Sequence, residues 1–314
     1  MNNNTTEIKK NGEGTVHVSV LLQEVIEGLA VKNGETFVDM TINGGGHSSA
    51  ICPFLGMKGT LIGIDADANA LIRAKKRLEL AECKTTVHLV AENFRNIKTV
   101  LKDLEILKVD KVLFDLGLST NELENSGRGF SFQKDEPLLM TFSNDPSKVT
   151  FTAKDIVNTW DEENIATILF GYGEERFAKR IAKRIVETRE MQPIQTTKEL
   201  VEIIQNAVPS WYRSGRKIHF ATKTFQALRM AVNDEIRTLE EALIGAWESL
   251  APKGRMAVIS FHSKEDRMVK KFFRERAKEE KGILFTKKPI VPSEEEIKKN
   301  KRSRSAKLRI IEKK

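Results

Sequence analysis

An α/β fold of the Rossmann-like kind, interrupted by an all-helical insertion, is predicted by three features of the 314-residue sequence. Strand-like and helix-like patterns alternate strictly as far as Gly117, which implies a parallel sheet covered on both faces with ligands at the carboxyl ends of its strands. From Thr120 to Arg216 only helical patterns follow, with no convincing strand. Beyond that stretch the strand-and-helix pattern resumes. The expected division is therefore 1–119 and 217–314 for the α/β domain and 120–216 for the inserted helical domain.

Taken in order, "VSVLLQEVIEGLA" sets Val18, Leu21, Leu22, Val25, Ile26 and Leu29 at helical spacing, so a helix precedes the first strand. The first strand runs into three glycines in "FVDMTINGGGHSSA". A second strand, Thr60 to Ile64, ends in Asp65, and the helix after it carries Ala70, Leu71, Ala74 and Leu78 on one face. A third strand is expected at Thr86 to Val90, a helix from Phe94 to Leu107, and a fourth strand in "VDKVLFDLGLS" that ends in Asp115. In the second half "ATKTFQALRMAVNDEIRTLEEALIGAWESLA" has the stripe of one long helix. Residues 255 to 261 form a fifth strand, and Ser263 with Asp266 forms a capping-box pattern for the next helix. "ILFTKKPIV" and "AKLRIIEK" complete the sheet.

Glycines in a row after a strand suit either a tight turn or the close approach of backbone to a ligand. The run does not fit a dinucleotide fingerprint, because Ser49 stands where its third glycine falls, and it lacks the lysine of a phosphate-gripping loop. Asp65 lies about twenty residues further on, the separation at which a strand-end acid accepts hydrogen bonds from both hydroxyls of an adenosine ribose. A nucleoside-containing ligand is the resulting expectation. Helix capping is the other role open to Asp65, but Asp67 is equally placed for it.

Lysine plus arginine outnumber aspartate plus glutamate by 52 to 44, giving a net charge of +8 and favouring a polyanionic partner, nucleic acid first. Cys52 and Cys83 have no metal-ligand spacing, so neither a disulfide framework nor a zinc site is expected, no metal is implied, and a reducing cytoplasm is the expected compartment. The start, "MNNNTTEIKKNGEG", has no apolar stretch of the kind that directs secretion, and no run is long enough to span a bilayer.

Nine stretches in order resemble one family, the bacterial MraW/RsmH-type methyltransferases. They are "HVSVLLQEV", "VDMTINGGGHS", "GIDAD", "FDLGLS", "RGFSF", "YGEERFAKRIAKRIV", "TFQALRMAVNDEI", "ISFHSKEDR" and "RSAKLR". The resemblance implies a class I methyltransferase domain of seven strands interrupted by helices, with S-adenosylmethionine as cofactor. The implied reaction is methylation of the exocyclic amine of a cytidine in 16S rRNA of the small ribosomal subunit, in its decoding-centre region. It also implies roles: Gly45, Gly46 and His47 would bind the cofactor, Asp65 would hold its ribose, Phe94 would lie near the adenine, and Asp115 would reach it from the fourth strand. Glu122 replaces a family glutamine, which leaves open whether this position holds the cofactor. Other departures are Ser19 for proline, Asn43 for glycine, and "LLMTF" for an "LDMRM"-like sequence.

A cytosine amine attacks a methyl sulfonium only if an acceptor draws on its hydrogens while the lone pair turns out of conjugation, so an acceptor must stand beside the methyl. Asp115 is the best-placed candidate. It lacks the two prolines and the aromatic that usually follow such an acid, and both a catalytic and a cofactor-binding role stay open. His262, at the end of the fifth strand, is either catalytic or structural. Arg176, Lys179, Arg180, Lys183 and Arg184 lie opposite the stripe of Phe177, Ile181 and Ile185, so this helix face suits RNA phosphates or plain solvent. "KKNKRSRSAK" is a second basic candidate. Phe130 and Phe132 stack a flipped base or anchor the insertion. The competing functions are a methyltransferase on another RNA or DNA and a non-catalytic assembly factor; monomer or homodimer stays open.

Overall fold

The computed structural model describes residues 19–145, 147, 149–214 and 218–314. His17 and Val18 of the first motif, and the expected boundary at 216/217, lie outside them.

The order of elements is α1 (Leu22–Leu29), β1 (Thr36–Asp39), α2 (Gly46–Leu55), β2 (Thr60–Asp65), α3 (Ala68–Leu80), β3 (Thr86–Ala91), α4 (Ile97–Asp103) and β4 (Val109–Asp115). Helices follow: α5 (Thr120–Asn125), α6 (Ala153–Thr159), α7 (Glu162–Gly171), α8 (Ala178–Arg189), α9 (Thr197–Ala207), α10 (Ser210–Arg213), α11 (Thr222–Val232) and α12 (Glu235–Ser249). The chain closes with β5 (Leu250–Ser260), α13 (Ser263–Lys278), β6 (Gly282–Leu284), α14 (Glu294–Lys299) and β7 (Lys307–Lys313).

Among the described residues the strands form one seven-stranded sheet in the order β3-β2-β1-β4-β5-β7-β6. β1 to β5 run parallel, and β7 is antiparallel to both β5 and β6. Because side chains alternate along a strand, neighbouring residues feed opposite cores. Phe37, Leu61, Leu113 and Ala257 face the cluster under α1, α2 and α3, whereas Val38, Ile62, Phe114 and Val258 face the cluster under α4, α12 and α13. A third cluster runs from Phe130 to Ala231 and belongs to the helices α6 to α11. The strand order reverses at β1, which has β2 on one side and β4 on the other, and such a reversal opens a crevice at the carboxyl edge.

Four sequence expectations are corrected. The single long helix is two, α11 and α12, because Asp234 takes a left-handed conformation at φ 46°. Asn233 accounts for the break: its amide donates to the carbonyls of Met140 and Arg229 and accepts from the Phe142 N–H, at 2.7, 2.8 and 2.8 Å. The fifth strand starts at Leu250, five residues early, and stops at Ser260. The cap of α13 is one residue earlier than expected. His262 is the N-cap and Glu265 its box partner, while Asp266 turns to β7 and pairs with Lys307 and Arg309. Finally, Cys52 on α2 and Cys83 beyond α3 form a disulfide, their Cα atoms 5.7 Å apart, because these two helices pack side by side over the sheet.

Candidate active site

At the carboxyl edge a cavity is lined by Thr41 and Asn43 after β1, Asp65 at the end of β2, Phe94 after β3 and Asp115 at the end of β4. The start of α12 and Phe142 form its far wall. Each side chain has a local reason to be there. Asp65 is fixed by two backbone donors, Asn43 N–H on Oδ2 and Asp67 N–H on Oδ1, both at 2.9 Å, which leaves further lone pairs toward the cavity. Asn43 reaches its carboxylate with φ at 49°, a conformation asparagine tolerates well, so its replacement of the family glycine is accommodated. Asp67 is the cap of α3, accepting from Asn69 N–H, and also pairs with Arg128 at 3.0 Å. Phe94 opens a 3-10 turn and stands edge-on to Phe114, with ring centres 6.0 Å apart.

Acids crowd this edge. Burial, then the charge of Glu122, pushes the Asp65 carboxyl up to about 7. Burial, then Glu265, does the same to Asp115, also to about 7. Glu122 is shifted upward by burial, and Asp39 behind the cavity is raised to about 6, again chiefly by burial. Asp115 keeps Oδ1 buried without a hydrogen-bond partner among the described residues. Partial neutralisation comes from Arg229, which bonds Glu235 twice at 2.6 and 2.8 Å and whose charge also reaches Glu265 and Glu122, and from Arg128 beside Glu122.

Comparison with known proteins fits this geometry. The pattern of the MraW methylase family matches residues 14–314. The chain belongs to the MraW methylase family. A ribosomal RNA small subunit methyltransferase H from Brevibacillus brevis is 46% identical over 312 residues, covering 95% of this chain and 98% of that protein. One of the same name from Clostridium botulinum strain Loch Maree is 44% identical with the same coverage.

In this MraW-family chain the structure gathers Asp65, Phe94, Asp115 and Glu122 around one cavity. Glu122 does two things, since it also closes the capping box of α5 with Ser119. Gly45, Gly46 and His47 are not among the lining residues. Gly45 has φ 71°, and a Cβ there would stand 3.2 Å from the Ala74 backbone, so the approach of α3 also requires a glycine here. His47 is buried behind the cavity, with Nε2 2.9 Å from the Val20 carbonyl and Nδ1 3.6 Å from Asp115 Oδ2. His262 caps α13, its Nε2 3.0 Å from Glu265 Oε1, and it is Glu265 that lines the cavity. Donor atoms of Glu235, His262 and Glu265 lie within 4.8 Å of one another.

Arg176 precedes α8, and Lys179, Arg180, Lys183 and Arg184 lie on that helix, all exposed. Lys183 and Arg184 share Glu187. In the carboxyl-terminal basic stretch Lys299 pairs with Glu295 and Arg302 with Glu124. Phe130 is buried and stacks on Phe142, and Phe132 packs on His219 and Phe225, so both anchor the helical insertion. Leu138 and Met140 of "LLMTF" are core residues of the insertion, and only Phe142 reaches the cavity. Sequence reasoning missed Glu265, Asn233 and the Arg229–Glu235 pair. For Glu265 a signal existed, the box spacing His262-x-x-Glu265, one register from the pair chosen.

Proposed function

We propose that this chain is an S-adenosylmethionine-dependent methyltransferase that modifies N4 of a cytidine in the 16S rRNA of the small ribosomal subunit, acting in the cytoplasm. The observation that carries the reading is the pairing of Asp65 and Asp115 at the ends of β2 and β4 on one cavity, in a chain of the MraW methylase family. The residues present suit the cofactor. Asp65 offers lone pairs to two ribose hydroxyls, Phe94 an aromatic surface to the adenine, and the surplus of carboxylates favours a cationic sulfonium. When bound, the cofactor supplies an electrophilic methyl group.

The rest falls to this chain's own groups. Asp115 Oδ1 is an acceptor without a partner, suited to draw on one hydrogen of an exocyclic amine. Behind it, the Val20 carbonyl selects the His47 tautomer with the proton on Nε2, which leaves Nδ1 as an acceptor facing Asp115 Oδ2. Asp115 therefore takes the proton the amine gives up, with His47 set behind it, and Thr41 Oγ1 fixes the Asp115 backbone by accepting its N–H at 2.7 Å. We assign His47 to this positioning role rather than to cofactor contact. The inserted helical domain, which we propose to span residues 120–216, carries the basic face of α8 for the rRNA. Mass mapping of 16S rRNA nucleosides with and without the gene tests the proposal. Loss of N4-methylated cytidine is expected; a change confined to another nucleic acid, or no change in any nucleoside, would replace this reading with one of the two competing ones.

A further inference from the structure

Beside the basic face of α8 lies an aromatic group whose exposure the packing of the fold does not require. Trp211, on α10, is 56% exposed, a large indole left in water. The Arg176 guanidinium lies 5.1 Å from its ring centre and 5.2 Å from that of Phe177, and Arg180 lies 5.8 Å from Phe177. Tyr212 supports the group from beneath: it is buried, stands edge-on to Phe177 at 4.8 Å, and donates its hydroxyl to the fully buried Glu175. The platform is thus held rigidly from below and open above.

Its place connects it to the cavity. Glu174, two residues before Arg176, pairs with Lys264 at 3.8 Å, and Lys264 directly precedes the cavity residue Glu265. Lys223 donates to the Glu174 carbonyl at 2.7 Å. Lys264 and Lys223 thus meet at Glu174, which answers one of them, and Arg176, Lys179, Arg180 and Lys183 follow into and along α8, with Glu187 beside the last. A flat aromatic face with an arginine laid over it, flanked by a line of cations, matches single-stranded nucleic acid, in which bases stack and phosphates follow the charges. A protein partner of opposite charge would use the cations but would not need the open indole.

We infer that Trp211 and Arg176 form a stacking platform for an unpaired nucleobase of the rRNA strand that flanks the target, with the phosphates led along α8. This rests on the rRNA-methyltransferase reading. The test uses the full chain carrying Trp160→Phe and Trp247→Phe, so that Trp211 is the sole fluorophore among the three tryptophans, titrated with a single-stranded oligouridylate and with unmodified small ribosomal subunits. Fluorescence quenching on RNA addition is expected. In the otherwise unaltered chain Trp211→Ala should weaken RNA binding about tenfold, the equivalent of one stacked base, Trp211→Phe should recover most of it, and cofactor affinity should not move. An unquenched Trp211 at saturating RNA, or a folded Trp211→Ala with parental RNA affinity, overturns the platform while leaving the parent's methylation of the subunit intact. If the parent chain neither binds nor methylates the subunit, the functional reading fails and the platform with it.

Discussion

Replacing Asp115 by asparagine should make the ligand-free protein more stable at alkaline pH while removing its activity. Asp115 is raised from 3.8 to about 7, chiefly by burial and then by the charge of Glu265. Between those values the folded chain holds a proton that the unfolded chain has released, so stability falls as pH rises from about 4 to about 7 and the full penalty remains above that. Three units at about 1.4 kcal/mol each set its upper size at about 4 kcal/mol. Asparagine does not ionise, and its amide suits His47 Nδ1 as a donor. In urea unfolding followed by circular dichroism, the gain of Asp115→Asn over the parent should be small at pH 4, grow through pH 5 and 6, and approach a few kcal/mol at pH 8. Turnover at saturating cofactor should fall by orders of magnitude, because the amide cannot take a proton from the amine. A variant no more stable than the parent at pH 8, or a gain independent of pH, would show that Asp115 is not the buried, poorly compensated acid described here.

Asp65→Ala should weaken S-adenosylmethionine binding by about 1.5 to 3 kcal/mol, the value of a charged acceptor to two hydroxyls, as calorimetry would show. Because the ligand-free Asp65 titrates near 7 and hydroxyl donors favour its ionised form, affinity should rise as pH climbs through 7 and binding should release protons, measurable as a dependence of the heat on buffer. Gln in place of Lys179, Arg180, Lys183 and Arg184 should weaken subunit binding and flatten its salt dependence with cofactor affinity unchanged; an unaltered salt slope would return α8 to solvated surface. Cys83→Ser should lower stability by about 3.7 kcal/mol through the unfolded-state loop that the Cys52–Cys83 bridge closes across 31 residues, and identical melting with and without reductant would show that the bridge does not form in solution.

Much of this fold is written in local pattern. Alternation located β1 to β4, and the position of Asp65 and Asp115 at strand ends followed from where their apolar runs stopped. What the pattern could not carry was anything decided by a distant partner. The α11–α12 break depends on Met140 and Phe142, some ninety residues away, and without them the stripe from Phe225 to Leu243 reads as one helix. For the glycines after β1 spacing left a tight turn and a ligand cradle both open, and the structure adds a third demand, the approach of α3 to Gly45. The cysteines were misread for the same reason, since 31 residues of separation say nothing about two helices lying side by side.

Asn233 has a consequence for how this sequence can drift. Its side chain gives two N–H donations to carbonyls and takes one from a backbone amide, in a reach of two carbons. Aspartate would set anionic oxygen against the Met140 and Arg229 carbonyls, glutamine would overshoot them, and an apolar residue would strand all three groups. None of these replacements keeps all three bonds, so a change at Asn233 would have to be met by a change in its partners. The seam between the helical insertion and the sheet is thereby coupled through one amide, and side-chain changes at Met140, Phe142 or the turn into α12 must keep their backbones where that amide can reach them.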